Sequence, residues 1–592
     1  MVNLSVRAGL AGVAAAAVAV GVAEVVAVVT GPLSAPLLAV GGVVVDHVPP
    51  PVKDFGVRLF GVHDKTALIV GTAILLAAYA YGIGVVALRS WRVALGGIAL
   101  FAVVGVAAAM TRHHAGAFAW LPTIVGAALT IWVLHHLLEL AGAPNRAGAG
   151  VGAAPGGVVG GAVGAAPGGV PTARGDVGRD GAVPFAAASA GGAVPGEVAG
   201  SAGVGVASGV GVSGQLRPAR ADGLAHDAGG TEGPGAWHDA YSRRLFLRRV
   251  GIVAAVAAVS GVGGRLLTSR RAVTAARAEV VLPVPRQTAA PVAAGVQVVG
   301  ASAFVSSNQD FYRIDTALYP PQVDPSTWQL RIHGMVRNPI TITWAELLQR
   351  PMIERYVTLA CVSNEVGGDL IGNALWLGTP IKELLDEAEP LPGADQVIQR
   401  SVDGWTCGSP TAVLRDGRNA LLAVGMNGKP LPVEHGFPVR MVVPGLYGYV
   451  SACKWITEIE VSRFADFDAY WVPRGWSAQG PIKTESRIDT PRDGAKRQAG
   501  TVQIAGVAWA QHRGIAKVEV QVDDGPWETA TLAATVSSDT WRQWSHAWSA
   551  TSGKHILRVR ATDISGQTQT STPAPPAPDG ATGWHAVQVR ID

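Results

Sequence analysis

The chain has 592 residues, of which 49% are hydrophobic and only 15% are charged. This length predicts several domains, and this composition indicates membrane-spanning segments. A net charge of +4 is small for the length, and no Lys/Arg-rich run with interleaved aromatic residues occurs, so nucleic acid is excluded as an expected partner. Three cysteines are too few for a disulfide framework, and Cys407 and Cys453 are either a pair formed outside the cytoplasm or two free thiols.

The first 141 residues are predicted to form a four-helix transmembrane region. Its apolar stretches are each long enough to cross a bilayer: 8–29, 66–88, 93–110 and 115–140. The apolar patch 37–45 is too short to cross and is expected within a loop. Arg89 and Arg92 lie between the second and third stretches, and the positive-inside rule places them, with both ends of the region, in the cytoplasm.

The histidines of this region do not predict a haem. They form two pairs, His113-His114 and His135-His136, near opposite ends of their helices. A bis-histidine haem needs both ligands at one depth on facing helices, so these residues are expected at the membrane interface. The region is therefore predicted to anchor the protein or to dock a partner.

Residues 142–237 are predicted to be a flexible linker, because Gly, Ala, Val and Pro dominate them without a helical or strand period. In residues 238–268, Arg243-Arg244 precede a short apolar run. This pattern resembles a twin-arginine export signal; the alternative is the positive flank of an ordinary fifth helix. Ala276-Arg277-Ala278 fits a small-x-small cleavage site, so the signal is either removed or kept as a tether.

The rest of the chain predicts a spacer, residues 269–302, and then two domains of different class. Residues 303–487 mix strand-like and helical runs without a βαβ repeat, which predicts an α+β domain. Thr343 is the expected N-cap of a helix in this domain. Residues 488–592 carry short alternating strands, with Asp524-Gly525 as a hairpin turn, and predict an immunoglobulin-like β-sandwich.

Cys361 is the first candidate for chemistry. It follows the strand-like run 356–359, which places one thiol where a strand ends and a loop begins. A thiolate favours soft metals, and zinc is not expected because no CxxC or HxxxH partner set accompanies this cysteine. Taken alone, Cys361 is better explained as a buried structural cysteine, and only the sequence on either side changes that interpretation.

The sequence on either side of Cys361 resembles the sulfite oxidase family of molybdenum enzymes. Four segments follow the family's order and nearly its spacing: 311–336, 357–365 (VTLACVSNE), 401–410 and 426–455 (MNGKPLPVEHGFPVRMVVPGLYGYVSACKW). The resemblance implies a molybdopterin-binding domain that performs oxo transfer, and a C-terminal sandwich that forms a homodimer. A molybdenum cofactor is inserted in the cytoplasm, so the resemblance also favours export of a folded domain by the twin-arginine route.

The resemblance implies a role for seven residues. Cys361 is the implied molybdenum ligand and catalytic residue. The implied contacts of the pterin cofactor are Arg313, Cys361, Asn364, Asp403, His435, Arg440 and Lys454. Arg440 offers a fork suited to a phosphate, whereas Lys454 offers a point charge. His435 and the Asp403-Gly404 pair also fit an ordinary loop residue and an ordinary turn.

Departures from the family's pattern concern the substrate. Sulfite oxidases carry two arginines shortly after the ligand cysteine, where Glu365-Val366 stand here, and an acidic residue would repel sulfite. The family's catalytic tyrosine has no clean equivalent at Tyr470. The pocket is instead expected to be lined by Trp471, Arg474, Trp476 and Lys483.

Together these features predict a multi-pass protein of the cell membrane with its catalytic domain outside the cytoplasm. We expect a molybdopterin oxidoreductase whose small-molecule substrate is not sulfite. No HPGG or CxxCH haem motif occurs, so an external cytochrome or quinone is the expected electron carrier. The alternatives are a sulfite dehydrogenase, an exported reductase of S- or N-oxides, and a non-enzymatic membrane scaffold whose cofactor domain has lost its metal.

Overall fold

A computed structural model describes residues 4–31, 34–48, 64–111, 116–140, 248–253, 255–256 and 270–592. Three predictions lie outside these residues: the linker 142–237, the Arg243-Arg244 pair and the His113-His114 pair. The described residues form an N-terminal set of helices, a central domain and a C-terminal domain.

The N-terminal helices are α1 (Leu4–Thr30), α2 (Pro36–His47), α3 (Asp64–Ala87), α4 (Trp91–Met110) and α5 (Leu121–Leu140). All except α2 contain stretches long and apolar enough to cross a membrane, with mean hydropathy between 1.6 and 2.4. These stretches match the four predicted spans. The patch expected within a loop instead forms α2, whose 12 residues are too few to cross.

Small residues let α1 and α3 approach closely. A Cβ atom added at Gly12 would lie 2.1 Å from the carbonyl oxygen of Ala80, and one at Gly84 would lie 2.0 Å from that of Ala8. No larger side chain fits at either glycine without separating the two backbones. This close approach is typical of helices that pack within a membrane.

The central domain is built on two sheets with short helices between the strands. Its elements are α6 (Arg270–Glu279), β1 (Gln329–Gly334), β2 (Ile340–Thr343), α7 (Trp344–Gln349), β3 (Ile353–Ala360), β4 (Ile371–Pro380), α8 (Ile381–Ala388), β5 (Gln396–Ser401), β6 (Thr406–Pro410), α9 (Thr411–Arg415), β7 (Leu421–Met426), β8 (Lys429–Pro430), β9 (Arg440–Val442) and β10 (Ile456–Ser462). One sheet has the order β2-β1-β10-β5-β6, and the other has the order β3-β4-β7-β8 with β9 paired to β7.

Local sequence explains several of these elements. Thr343 caps α7 as predicted, because its hydroxyl accepts a hydrogen bond from the backbone N–H of Glu346 while the Glu346 carboxylate accepts one from the backbone N–H of Thr343. The strand β7 is buried along its whole length, as its unbroken apolar run requires. The α+β prediction is confirmed.

The C-terminal domain is a sandwich of two sheets. Its strands are β11 (Glu485–Thr490), β12 (Ala495–Arg497), β13 (Gly500–Trp509), β14 (Ile515–Val522), β15 (Trp527–Thr529), β16 (Thr531–Leu532), β17 (Arg542–Ala550), β18 (Gly553–Asp563) and β19 (His585–Ile591). The sheets have the orders β11-β13-β17-β16 and β12-β19-β18-β14-β15. The predicted turn at Asp524-Gly525 joins the antiparallel strands β14 and β15.

The C-terminal domain holds the strand that ends at Cys361. Thr358 of β3 donates its backbone N–H to the carbonyl of Asp539 (2.9 Å), and its hydroxyl accepts the backbone N–H of Trp541 (2.8 Å). The side-chain amide of Gln511 donates to the carbonyl of Thr358 (3.0 Å). Since Thr358 is fully buried, these bonds fix β3 of the central domain to the C-terminal domain.

Candidate active site

Cys361 lies directly after β3, as the sequence predicts, and is 7% exposed. Its backbone N–H donates to the carbonyl of Leu370 (2.9 Å), which closes the loop 362–369. The Asn364 side chain supports the same loop, because its oxygen accepts the backbone N–H of Leu370 (2.8 Å). Burial raises the pKa of the Cys361 thiol, and hydrogen bonds from Ser363 oppose that shift.

Three tyrosines, Tyr312, Tyr447 and Tyr449, form what we call the tyrosine cluster. Burial raises the pKa of Tyr312 and Tyr447, and the nearby Cys361 thiol raises both further. The Tyr449 hydroxyl donates to the carbonyl of Ser477 (2.8 Å). All three hydroxyls therefore keep their protons at neutral pH, and two of them lie near the thiol.

Arg440, on β9, is a buried cation that bonds to backbone carbonyls. Its guanidinium donates to the carbonyls of His435 (3.1 Å) and Met441 (3.3 Å), and lies 5.1 Å from the centre of the Trp376 ring. Only 5% of the residue is exposed. Burial lowers the pKa of Arg440 to about 10, so the side chain is still charged at neutral pH. A buried cation without a carboxylate partner is costly unless an anion joins it.

Lys454 and Arg313 share the carboxylate of Asp315. The Lys454 ammonium lies 2.6 Å from an Asp315 oxygen and the Arg313 guanidinium 3.0 Å from the same oxygen. Burial lowers the pKa of Lys454 to about 8. Asp403 lies close enough to feel both Asp315 and Lys454, and burial raises its pKa; its carboxylate also accepts the backbone N–H of Trp405 (3.1 Å), as in an ordinary turn.

His435 completes this set, and we call Arg313, His435, Arg440 and Lys454 the basic cluster. The His435 Nε2–H donates to the carbonyl of Asn308 (2.9 Å). Burial, together with the charge of Arg440, lowers the pKa of His435 to about 4, so this ring is neutral at neutral pH. A neutral ring with its proton on Nε2 leaves Nδ1 as a hydrogen-bond acceptor.

Two cations, one near Tyr447 and one at the loop after Cys361, are paired with carboxylates. The ammonium of Lys483 lies 2.9 Å from Asp579, and the guanidinium of Arg487 lies 2.7 Å from Asp489. Arg487 also donates to the carbonyl of Gly368 in the loop after Cys361 (2.6 Å).

A loop of the C-terminal domain approaches the same tyrosines. A Cβ atom added at Gly580 would lie 2.6 Å from the Tyr447 hydroxyl, so this loop packs directly on Tyr447. Nearby, burial raises the pKa of Glu485 to about 8, opposed by Lys483, and the charge of this carboxyl acts on Tyr447. The C-terminal domain therefore forms part of the surroundings of Cys361.

The predicted pocket residues fall into two groups. Trp471 and Trp476 pack together (6.1 Å between ring centroids), and Trp476 contacts Tyr449 (5.8 Å). Arg474 instead stacks on Tyr470 (3.8 Å), and Glu365 is exposed. Asp315 and the tyrosine cluster were not predicted from the sequence, although Tyr312 adjoins Arg313 and both Tyr447 and Tyr449 fall within the segment 426–455.

The residues around Cys361 fit a metal cofactor with an anionic anchor. A thiol is the kind of group that binds a soft metal, and Tyr312 lies close enough to feel both the Cys361 thiol and Arg440 of the basic cluster. The two buried cations of that cluster, Arg440 and Lys454, have one close carboxylate between them. Such a site is typical of a metal-cofactor oxidoreductase, and the unpaired positive charge of the basic cluster suits an anionic group.

Comparisons with known proteins identify the family. Residues 317–471 match the oxidoreductase molybdopterin binding domain, and residues 485–559 match a bacterial Ig domain. The chain is 30% identical over 169 residues to the uncharacterized oxidoreductase YuiH of Bacillus subtilis, covering 28% of this chain and 81% of that protein. It is 27% identical over 326 residues to the sulfite oxidase of Gallus gallus, covering 46% of this chain and 70% of that enzyme.

The chain belongs to the sulfite oxidase family of molybdopterin-dependent oxidoreductases. It is an enzyme of this family with molybdopterin as its cofactor, and the predicted immunoglobulin-like domain is confirmed. Among solved structures, the sulfane dehydrogenase SoxCD of Paracoccus pantotrophus matches with a TM-score of 0.43 and 21% identity, covering 49% of this chain and 82% of that chain. Mammalian sulfite oxidases are matched over only 55% to 59% of their length.

Proposed function

We propose that this protein is a membrane-anchored oxidoreductase that works outside the cytoplasm and reduces the S–O or N–O bond of a small neutral substrate. The cofactor, when bound, supplies a molybdenum centre that exchanges an oxygen atom and two electrons with the substrate. Cys361 would be its protein ligand. Arg313, Arg440 and Lys454 would hold the phosphate of the pterin, and Asn364, Asp403 and His435 would hold the pterin edges.

The observation that carries the substrate proposal is the pairing of charges near Cys361. Sulfite is an anion and needs unpaired cations, whereas Lys483 and Arg487 are each bonded to a carboxylate. The position of the family's arginine pair holds Glu365-Val366. Neutral sulfoxides and amine oxides need only hydrogen-bond donors for their oxygen, and Tyr312 and Tyr447 keep their hydroxyl protons at neutral pH.

A substrate screen in both directions tests this proposal. The purified holoenzyme is assayed with a reduced viologen dye and dimethyl sulfoxide, methionine sulfoxide or trimethylamine N-oxide, and with ferricyanide and sulfite. We expect dye oxidation with at least one oxide and little or no sulfite oxidation. Rapid sulfite oxidation without activity on any oxide would favour the sulfite dehydrogenase. A protein that lacks molybdenum after growth with molybdate would favour the scaffold.

The proposed location rests on the four apolar helices and on the arginines between the second and third of them. Four crossings return the chain to the cytoplasm, where Arg243-Arg244 would be read before the folded domain is exported. Replacing this pair with Lys-Lys should leave residues 1–140 inserted and keep the catalytic domain inside. Protease added outside spheroplasts would then cut the domain in wild type and spare it in the variant; equal cleavage would contradict the proposal.

The proposal includes two partners. A cytochrome or a quinone serves as the external electron carrier, because the sequence has no HPGG or CxxCH haem motif. A second copy of the chain binds through the C-terminal domain, as the family resemblance implies. Light scattering of the detergent-purified protein distinguishes the dimer from a monomer.

A further inference from the structure

The predicted cleavage site Ala276-Arg277-Ala278 lies inside α6, not in an open spacer. We propose that α6 is a structural part of the catalytic domain, that the folded protein is therefore not cut after Ala278, and that the catalytic domain stays covalently joined to the membrane helices. The inference rests on the proposed function in one respect: a signal peptidase would meet Ala278 only if the catalytic domain is exported.

Arg277 attaches α6 to the central domain. Its Nε–H donates to the carbonyl of Leu431 (2.6 Å), and its terminal NH2 donates to the carbonyl of Pro430 (2.6 Å). These carbonyls belong to the segment that leads from β8 towards His435. A guanidinium with two short bonds to backbone oxygens is a specific contact, because both acceptors must be presented side by side.

Val273 attaches the same helix one turn earlier. Only 4% of Val273 is exposed, and it packs in a buried cluster that includes Phe311, Trp376, Leu431 and Phe437. Trp376 is also the ring beneath Arg440. The apolar side of α6 thus rests on the residues that support the basic cluster, whereas Thr274 and Ala278 face outwards.

The chain after α6 is also held. Leu282 packs on β7, where a Cβ atom added at Gly425 would lie 3.0 Å from its side chain. Arg286 donates its backbone N–H to the carbonyl of Met352 (2.8 Å), and Glu354 of β3 donates to the carbonyl of Gln287 (2.9 Å). The peptide is therefore fixed on both sides of Ala278.

A signal peptidase binds the residues around the scissile bond in an extended form. A helix rises about 1.5 Å per residue and an extended chain about 3.3 Å, so α6 must unwind to enter such an enzyme. Unwinding breaks the bonds of Arg277 and withdraws Val273 from its cluster. A domain that crosses the membrane already folded presents the site only in its protected state.

The segment that follows the arginine pair also contacts the membrane helices. Val250 and Val253 pack against the core formed by α1, α4 and α5, which includes Ile98 and Leu134. The central domain also contacts α2 of the N-terminal helices, since a Cβ atom added at Gly41 would lie 3.0 Å from the Leu318 side chain. These contacts favour a signal segment that stays seated beside the helices.

The test uses the full chain purified in detergent and incubated with bacterial signal peptidase, with products identified by mass. Arg277→Ala keeps the small-x-small pattern and removes both hydrogen bonds, so we expect cleavage after Ala278 roughly tenfold faster or more than in wild type. Thr274→Ala changes an exposed residue of α6 and is expected to be as resistant as wild type. A double variant, Val273→Asp with Arg277→Ala, should be cut faster still.

Two results would overturn the proposal. One is wild-type protein cut after Ala278 as fast as the double variant, and the other is a double variant as resistant as wild type. Because the assay is done in detergent, its outcome does not depend on export, which the protease experiment on spheroplasts tests separately. In cells, a tag at the C-terminus should remain on the full-length chain in the membrane fraction rather than on a soluble product that begins at Glu279.

Discussion

The basic cluster and the surroundings of Tyr447 differ in how their cations are paired. In the basic cluster, Arg440 is buried and bonded only to carbonyls among the described residues, and two further cations share Asp315. Near Tyr447 and the loop after Cys361, Lys483 and Arg487 each have their own carboxylate. The first arrangement needs an anion to complete it, and the second does not.

This difference would let one site distinguish its two ligands, the anionic cofactor and a neutral substrate. Unpaired positive charge in a buried site favours an anion such as a phosphate by electrostatics. Protonated hydroxyls beside aromatic rings select a neutral molecule with a hydrogen-bond acceptor. A substrate anion would bind near Tyr447 only if the cations there were also unpaired.

The largest effect is expected from Cys361→Ser, which removes the predicted protein ligand of the metal. Turnover should fall on the order of 10³-fold or more, since the variant loses the protein ligand to the metal. The fold and the bound pterin should remain, as measured by circular dichroism and pterin fluorescence. Cys407→Ser is the matched control, because Cys407 is also a fully buried free thiol but bonds to Gln399. Full activity in the Cys361 variant would refute the ligand assignment.

Arg440→Ala should empty the basic cluster of its cofactor. A buried phosphate loses a charge-assisted partner, at a cost on the order of 2–5 kcal/mol. The measurement is pterin and molybdenum per purified chain. Arg400→Ala is the control, because Arg400 is paired with Glu458 and Glu460 on the other sheet of the same domain. If the Arg440 variant keeps as much pterin as the control, Arg440 does not hold the cofactor.

Replacing Glu365 and Val366 with arginines should add unpaired positive charge after Cys361, as the basic cluster already has. Two unpaired cations after Cys361 are expected to lower the KM for sulfite roughly tenfold or more. Activity on neutral oxides should change less. Steady-state kinetics with both substrate types provide the measurement, and Glu528→Arg, an exposed site in the C-terminal domain, serves as the control. An unchanged KM for sulfite would mean that these positions do not face the substrate.

The smallest effect is expected from Glu485→Gln, beside Tyr447. The pKa of Glu485 is about 8 in the folded protein, above its ordinary value of 4.5, so between these values the folded state binds more protons than the unfolded state. Stability contributed by the protonated form is therefore lost as pH rises from 4.5 through about 8. The variant should melt a few degrees higher than wild type at pH 9 and equally at pH 4.5.

Thermal melting at several pH values measures this difference. Glu528→Gln is the matched control, because the same substitution is made there at a side chain that is 59% exposed. A wild-type protein whose stability does not fall between pH 5 and pH 8 relative to the Glu485 variant would contradict the buried, protonated state of Glu485.

Local patterns in the sequence were enough to predict much of this protein. Length and hydropathy located the membrane-length helices, because crossing a bilayer requires an unbroken apolar run. Thr343 and Asp524-Gly525 marked a helix start and a hairpin, since caps and turns depend on neighbouring residues. The order of motifs around Cys361 and Arg440 identified the family and its cofactor.

The tertiary structure alone decided which side chains meet. Asp315 and Lys454 are 139 residues apart and bond at 2.6 Å, and Arg277 bonds to Leu431 from 154 residues away. The approach of Gly580 to Tyr447 likewise joins two domains. Such contacts depend on sheet order and on domain packing, which no short pattern encodes. For that reason the sequence determined the family and the cofactor class and predicted the ligand, while only the fold determined which cations are already paired.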